Sequence, residues 1–203
     1  MSRLRIMSHN VWKNDKNLPA WAAKGEDCSA AVRAKGMVRI YAETQPDIIG
    51  FQEMSPTMVD EILLGLTSQD QRYALLWGRD TPILYRQDRF ELLDSDFFLY
   101  STELPGWAGE FNNSGTKSWC IAVFRDKTDG KKLAFMSTHL WWKSSDPASP
   151  DYQPGSDEAR VYQLNLAMDR LEQFHAQYDC PAVLVGDLNA AYTEPVIRSA
   201  LAR

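Results

Sequence analysis

Basic residues are in short supply in this sequence. Lys and Arg number 22 against 27 Asp and Glu, which gives a formal net charge of −5 and a pI near 5.2. Non-specific binding to nucleic acid normally uses a broad basic face, so the charge balance argues against such a face. A small cationic cleft on an acidic protein remains compatible with these numbers. The balance therefore favours a small phosphorylated substrate, or one bridged by a metal.

Cysteine is also scarce. The three cysteines, Cys28, Cys120 and Cys180, are widely spaced, odd in number and form no CxxC motif. This usage indicates reduced thiols and predicts a cytoplasmic protein. A structural zinc site would need clustered His and Cys, and the sequence has no such cluster.

Long apolar segments are absent as well. No run approaches the ~20 apolar residues that span a bilayer, and no apolar stretch of the kind found in signal peptides follows Met1–Arg5. No Gly/Ser-rich or Pro-rich linker and no internal repeat divides the chain. With 44% apolar and 24% charged residues, the composition is that of a globular protein. We therefore expect one domain over residues 1–203, without a membrane span.

Strand and helix patterns alternate at both ends of the chain. Apolar and polar residues alternate over 4–10, and residues 13–28 are predicted to form a loop. Apolar residues at helical spacing predict a helix over 29–43, which Gln45-Pro46 ends. A short buried strand over 47–53 leads to a helix that Ser55 caps, with Pro56 at its first position.

The middle of the chain has a different pattern. Five strand-like runs follow one another here, separated by short polar breaks. Such short breaks favour antiparallel pairing of the strands, and Asp129-Gly130 is a strong hairpin signal. A helix over 156–178 and a short buried strand over 182–189 follow, and Glu194-Pro195 begins a last helix. The five strand-like runs of the middle are 72–77, 81–86, 90–100, 118–126 and 132–140.

Four of the predicted strands end on polar side chains: Asn10, Glu53, His139, and the pair Asp187 and Asn189. Asp187 and Asn189 are two positions apart, so on extended chain they would face the same way. Each group has an ordinary explanation, as a turn residue, an acid at a helix start or a buried histidine that is hydrogen-bonded. Their coincidence at four strand ends is harder to explain in that way. We therefore expect these residues to form one site.

The chemistry that these groups suit is phosphoryl transfer to water. Mg²⁺ takes oxygen ligands and keeps several waters, so Glu53 with the amide of Asn10 would be sufficient. A metal neutralises phosphate charge and makes water a better nucleophile. Asp187 can orient that water, while a protonated His139 and the amide of Asn189 can bind charge that develops on phosphorus.

The same stretches resemble the successive motifs of the endonuclease/exonuclease/phosphatase superfamily, whose fold is DNase I-like. GDxN and THL are weak patterns individually, but the set is specific in this order, and the resemblance covers nearly the whole chain. The segments that carry it are 5–12 (RIMSHNVW), 46–53 (PDIIGFQE), 137–140 (STHL) and 185–189 (VGDLN).

The resemblance implies an α/β (α+β) fold, a four-layer α/β/β/α sandwich of two mostly antiparallel sheets with the site at one end. It implies a phosphodiesterase or phosphomonoesterase that uses Mg²⁺ or Mn²⁺. By position, Glu53 would be the main metal ligand and Asn10 would bind the metal shell or the phosphate. His139 would stabilise the transition state, Asp187 would orient the attacking water, and Asn189 would hold the phosphate.

One departure from the family pattern is large. The family carries an Asp-His pair some tens of residues after GDxN, and its histidine is the general base. The sequence ends at Arg203, and none of His9, His139 and His175 can fill that place. We therefore expect a C-terminally incomplete domain, truncated before its last strands and weak or inactive by itself. A missing final strand would expose a sheet edge, through which a homodimer could form.

Several residues near the motifs have two readings. Trp141 and Trp142 directly follow the predicted strand end, and Trp141 is predicted to stack on substrate, although core packing is the alternative. Residues 143–155 form either a loop that shapes the pocket or an ordinary surface loop. Arg160 and Gln163 either bind phosphate and support the site, or lie on a solvated face.

The leading functional hypothesis is a metal-dependent hydrolase of phosphate esters. The alternative is a non-catalytic binding or interaction domain on the same scaffold, which the absent C-terminal histidine favours if 203 residues is the natural length. The substrate could be a small phosphorylated molecule, a lipid head group or nucleic acid, because this fold alone does not decide among them.

Overall fold

The computed structural model describes residues 3–13 and 19–203, and within these ranges the chain forms eight strands and five helices. The strands are short and the helices amphipathic, as the sequence pattern predicts. In chain order the elements are β1 (Ile6–Asn10), α1 (Pro19–Ala22), α2 (Ala30–Thr44), β2 (Ile48–Gln52), α3 (Pro56–Thr67), β3 (Tyr73–Leu76), β4 (Ile83–Arg86), β5 (Phe90–Leu99), β6 (Ser118–Asp126), β7 (Lys132–His139), α4 (Ser156–Tyr178), β8 (Ala182–Asp187) and α5 (Pro195–Leu201).

The strands form two four-stranded sheets. The strand order is β1-β2-β4-β3 in the first sheet and β5-β6-β7-β8 in the second. Two pairs, β1 with β2 and β7 with β8, are parallel, and the other pairs are antiparallel. Each parallel pair arises where a helix connects the two strands, since a parallel connection needs a crossover.

Apolar side chains fill three layers of core. The two sheets face each other across a layer that includes Ile48, Phe124 and Phe135, all at most 1% exposed. Helices α2 and α3 cover the outer face of the first sheet, and α4 and α5 cover the outer face of the second. The predicted α/β/β/α sandwich of two mostly antiparallel sheets is confirmed.

The signals that begin and end the helices act as predicted. The hydroxyl of Ser55 accepts a hydrogen bond from the N–H of Met58 at 3.2 Å, and Pro56 is the first residue of α3. Helix α2 ends at Thr44, and the capping residue Gln45, in left-handed backbone, donates its N–H to the carbonyl of Tyr41. The short helix α1 lies within the predicted loop 13–28, and residues 14–18 of that loop are outside the described part of the chain.

Strand β8 differs from its prediction. It ends at Asp187 rather than Asn189, and its residues are half-buried or exposed. The reason is its place at the edge of the second sheet, where β7 is its one pairing partner among the described residues. An apolar run of four residues predicts a strand, but it does not distinguish an edge strand from a central one.

Both β1 and β8 are edge strands, and they lie at the same side of the sandwich, where they contact each other. A homodimer through an exposed sheet edge stays a prediction, as do the compartment and the incomplete C-terminus. Across residues 3–13 and 19–203, the helices are too short or too polar to cross a membrane.

Candidate active site

The strand ends that the sequence singles out meet at one end of the sandwich. In the first sheet the register pairs Asn10 with Gln52, so Asn10 lies beside the start of the segment that carries Glu53. In the second sheet it pairs His139 with Asp187. Because the two parallel pairs run the same way into this end, four side chains from separate motifs converge there.

Asn10 joins the two sheets across the site. Its side-chain amide nitrogen donates to Asp187 Oδ2 at 2.8 Å and to Glu53 Oε1 at 3.3 Å. Its amide oxygen accepts from the N–H of Trp12 at 2.9 Å. In this orientation the amide nitrogen faces the carboxylates. Asn10 therefore holds Glu53 and Asp187 together in this structure, and its role in binding the metal shell or the phosphate stays a prediction.

Asp187 and Asn189 form a turn. The N–H of Asn189 donates to Asp187 Oδ1 at 2.9 Å, and the side-chain amide of Asn189 donates to the carbonyl of Leu140 at 2.9 Å. The backbone of Asn189 is left-handed, with φ of 49°. The expectation that the two residues share one face of an extended strand is therefore wrong, because the strand has already ended. Asn189 still lines the cavity described below.

Gly186 permits a close approach between two strands. A Cβ at this position would lie 2.2 Å from the carbonyl oxygen of Thr138 on β7, far inside a normal contact. A glycine at such a position allows either a bend or a close approach of the backbone. Gly186 approaches the neighbouring strand β7, and this contact sets the position of Asp187 relative to His139.

His139 lies in a buried charged cluster that the sequence motifs do not reveal. Its Nδ1 is 2.6 Å from Asp80 Oδ2, and its Nε2 is 2.6 Å from Lys117 Nζ and 3.9 Å from Asp187 Oδ2. Lys13 Nζ lies 3.2 Å from the other oxygen of Asp80. His139, Asp80 and Lys117 are each at most 4% exposed. The site thus contains two ammonium groups beside the histidine.

Burial and charge act against each other in this cluster. Burial lowers the pKa of Lys117 to about 8, although the carboxylates of Asp80, Glu53 and Asp187 oppose that shift. Burial alone would raise the pKa of Asp80, but the hydrogen bond and charge of His139, with the charges of Lys13 and Lys117, lower it instead. Asp80 is accordingly an ionised acceptor at neutral pH.

The signal for Lys117 was available in the strand pattern. Lys117 immediately precedes β6, and β6 runs antiparallel to β7 with Ser118 paired to His139. The start of one strand therefore lies beside the end of the other. Reading only the carboxyl ends of strands misses such a residue. Asp80 and Lys13 lie in loops, where no periodic pattern indicates them.

An open cavity of about 530 Å³ lies over these groups. Acids and cations both reach it, together with hydroxyl and amide groups from the loop before β6. Its lining residues are Lys13, Glu53, Asp80, Asn113, Ser114, Thr116, Lys117, His139, Trp142 and Asn189.

The backbone around the cavity is strained. Trp12, Glu53, Arg79 and Asn189 have φ between 47° and 58°, which L-residues other than Asn and Asp rarely adopt. All four adjoin or belong to the site, and such conformations tend to concentrate at functional sites.

One known protein family matches nearly the whole chain. A model of the Endonuclease/Exonuclease/phosphatase family matches residues 7–203. The chain belongs to this family. Its members are hydrolases that act on phosphate esters, as the name states, and the resemblance of the sequence motifs is confirmed. No curated protein matches the chain significantly.

Solved structures of the family share the fold. An endonuclease/exonuclease/phosphatase from Bacteroides vulgatus has a TM-score of 0.75 at 21% identity, over 98% of this chain and 71% of its own. A mannosyl-6-phosphatase from Bacteroides thetaiotaomicron has a TM-score of 0.74 at 20% identity, over 98% of this chain and 70% of its own. The TDP2 of D. rerio, complexed with a single-strand DNA product, has a TM-score of 0.66 at 22% identity, over 98% of this chain and 66% of its own.

Trp141 and Arg160, both predicted to contact substrate, are not among the residues that line the cavity. Trp141 is fully buried against Phe111, with ring centroids 5.9 Å apart, so its predicted stacking on substrate is wrong. Trp142 is 43% exposed and lines the cavity. Adjacent residues leaving a strand face opposite ways, and the outward-facing one is Trp142 rather than Trp141.

Arg160 is 3% exposed and supports a loop instead of binding phosphate. It donates to the carbonyl of Lys143 at 2.6 Å, and it forms ion pairs with Asp157 and, at 3.3 Å, with Glu194. The prediction that Arg160 contacts substrate is therefore wrong. It anchors the start of loop 143–155 to α4 and α5.

Proposed function

We propose that this protein is a metal-dependent hydrolase of phosphate esters, in which Glu53 binds the metal and Asp187 activates water. The observation that carries the proposal is one cavity in which carboxylates and cations face the same space. Phosphoryl transfer needs both, because the metal and the nucleophile require anionic ligands while the phosphate requires positive charge.

The donor set fits a hard divalent cation. Glu53 and Asp187 supply carboxylate oxygens on either side of Asn10, and oxygen is the donor that Mg²⁺ and Mn²⁺ prefer. In and around the cavity, the carboxylates of Glu53, Asp80 and Asp187 outnumber the ammonium groups of Lys13 and Lys117. The described residues contain no group of three or more His, Cys, Asp and Glu side chains poised to bind a metal. Waters would then complete the shell, as Mg²⁺ commonly allows.

A bound Mg²⁺ or Mn²⁺ would polarise the phosphate and lower the charge that the nucleophile must approach. The residues of the chain would do the rest. Asp187 is held by two hydrogen bonds, from Asn10 and from the N–H of Asn189, so its carboxylate is oriented to accept a proton from water. The side of the cavity where the ammonium groups of Lys117 and Lys13 lie near His139 would bind the phosphate group.

Substrate size follows from the cavity. A volume of about 530 Å³ is in the range of small-molecule sites, and Trp142 offers an exposed ring for stacking on a planar or sugar-like group. A small phosphorylated molecule is the proposed substrate. Lipid head groups and nucleic acid are the competing substrate classes, and the assay described below includes both.

A specific observation favours the second candidate, a phosphate-binding domain that does not hydrolyse. The chain has three histidines, and two are engaged away from the cavity. His9 Nδ1 is 2.7 Å from the hydroxyl of Tyr41, and His175 Nδ1 is 2.6 Å from the carbonyl of Cys180. His139 is therefore the one histidine at the site, and it is already paired with Asp80.

The test uses two readouts. Hydrolysis is assayed with a phosphomonoester, a phosphodiester, a soluble phosphoinositide and single-stranded DNA, with Mg²⁺, Mn²⁺ or EDTA. Mn²⁺ binding is measured separately by electron paramagnetic resonance. Glu53→Gln should lose both, whereas Asp187→Asn should lose hydrolysis by at least 10²-fold and keep most Mn²⁺ binding. Glu91→Gln is the matched control, because Glu91 is an exposed acid paired with Arg125.

Mn²⁺ binding without hydrolysis of any substrate would favour the binding-domain candidate. Equal Mn²⁺ binding by Glu53→Gln and the wild-type chain would refute the assignment of the metal site.

A further inference from the structure

The loop that precedes β6 is built to hold one lysine inside the cavity. Asn112, 1% exposed, donates from its side-chain amide to the carbonyls of Tyr100 and Lys117 at 2.7 and 3.0 Å. Its amide oxygen accepts from the N–H groups of Thr116 and Lys117 at 3.0 and 2.8 Å. One buried side chain thus forms four hydrogen bonds that hold the loop, and two of them fix the backbone of Lys117.

The ammonium group of Lys117 covers the nitrogen atoms of His139. Lys117 Nζ is 2.6 Å from Nε2 and 3.3 Å from Nδ1, so it lies over the face of the imidazole ring. Asp80 is an ionised carboxylate, which can only accept, so the Nδ1 of His139 carries the proton in the 2.6 Å hydrogen bond between them. Nδ1 is therefore committed to Asp80, and the ammonium group of Lys117 covers the ring face.

We infer that Lys117, not His139, is the cationic group that contacts the phosphate of the substrate, and that His139 and Asp80 position Lys117. The inference rests on the proposed function, since it assigns the phosphate side of that same cavity. Lys117 lines the cavity beside the hydroxyl groups of Ser114 and Thr116. A phosphate there would meet one buried ammonium and neighbouring neutral donors.

This assignment also explains why a buried lysine is tolerated. An unpaired ammonium in the interior is costly, and three carboxylates act on this one. A purely structural ion pair would need one carboxylate as its direct partner. Among the described residues, the group within hydrogen-bond distance of Lys117 Nζ is instead the imidazole ring of His139, so the charge is available to an anion that enters the cavity.

The experiment measures the binding of inorganic phosphate to the full chain by isothermal titration, with and without Mg²⁺. Lys117→Met should weaken binding by about 10- to 100-fold, the range for a hydrogen bond to a charged group. His139→Gln should weaken it several-fold less than Lys117→Met does, because the lysine remains. Lys131→Met, an exposed lysine at the opposite end of β7, should leave binding unchanged.

A second measurement uses the wild-type chain and does not depend on how the variants fold. NMR spectra with labelled lysine and histidine should show the proton of His139 on Nδ1. Added phosphate should shift the Lys117 ε-methylene signal, assigned from the spectrum of Lys117→Arg. A native proton on Nε2, or phosphate shifts confined to His139, would overturn the inference.

The outcomes separate this inference from the proposed function. Phosphate binding that depends on Lys117 in a chain without hydrolysis would keep the inference and remove the enzyme. Hydrolysis that survives in Lys117→Met, with unchanged phosphate affinity, would keep the enzyme and overturn the inference. Failure of the wild-type chain to bind phosphate, with or without Mg²⁺, would also overturn it.

Discussion

Replacing Gly186 by alanine tests how tightly the two strands that carry His139 and Asp187 are packed. The new Cβ would lie 2.2 Å from the carbonyl oxygen of Thr138 and 2.9 Å from its methyl carbon. A carbon and an oxygen atom normally approach to about 3.3 Å even in weak hydrogen-bonded contacts, so the strands must separate by about 1 Å. The obstacle is backbone, which cannot rotate away as a side chain can.

We expect Gly186→Ala to lower the free energy of unfolding by about 1–3 kcal/mol, the usual cost of overpacking. Gly36→Ala is the matched control, because Gly36 lies in α2 and a Cβ there would meet nothing within 4 Å. Alanine restricts the unfolded chain equally in both variants. In the helix it should raise stability by up to about 1 kcal/mol. The difference between the variants therefore isolates the contact with Thr138.

Urea denaturation followed by tryptophan fluorescence gives the comparison directly. The midpoint should fall for Gly186→Ala and rise for Gly36→Ala, with similar slopes. For a chain of this size, 1 kcal/mol corresponds to a shift of about 2–4 °C in Tm. Displacing Asp187 by 1 Å should also reduce hydrolysis by about 10²-fold. Equal midpoints for the two variants would refute the close packing of β7 and β8 at Gly186.

Two further predictions concern stability. Trp141→Ala should lower the free energy of unfolding by about 3–5 kcal/mol, because the side chain is fully buried. Trp142→Ala should change the free energy of unfolding by less than about 1 kcal/mol and weaken substrate binding. Urea denaturation measures the first effect, and KM measures the second. Arg89 lies 2.7 Å from Asp47 and 2.8 Å from Asp126, so Arg89→Met should lower stability by about 1–3 kcal/mol at pH 7. Burial would raise the pKa of Asp126, but its bonds to Thr128 and Arg89 lower it, so this stability is present above about pH 4 and is lost as the pH falls further. Urea midpoints of wild type and variant should therefore converge in acid.

Much of the fold follows from local pattern. Helix α4 spans residues 156–178 as predicted, because its apolar stripe is long and periodic. The middle strands β3 to β7 lie within two residues of the predicted runs, since turn signals bound each one. Edge position is a property of the whole sheet, which is why β8 was predicted to be buried. Periodicity cannot reveal how many neighbours a strand has.

The candidate site likewise has residues that the sequence could predict and side-chain directions that it could not. Asn10, Glu53, His139 and Asp187 could be predicted because the carboxyl ends of parallel strands collect at one edge, and each lies at such an end. What the sequence could not supply was the direction of each side chain. Trp141 and Trp142 differ by one position, yet one is buried and the other exposed. Arg160 lies on a regular helix, and its partners come from a loop and another helix.

The two halves of the cavity therefore depend on different parts of the fold. Glu53 and Asp187 extend from the ends of hydrogen-bonded strands, so the metal side moves only if the sheets move. Lys117 is fixed by Asn112 in a loop, so the phosphate side can be altered without disturbing a strand. A change at Gly186 should then weaken hydrolysis and leave phosphate binding largely intact, whereas Asn112→Ala should weaken phosphate binding and leave Mn²⁺ binding intact. The opposite pattern would mean that the anion and the metal share one set of supports.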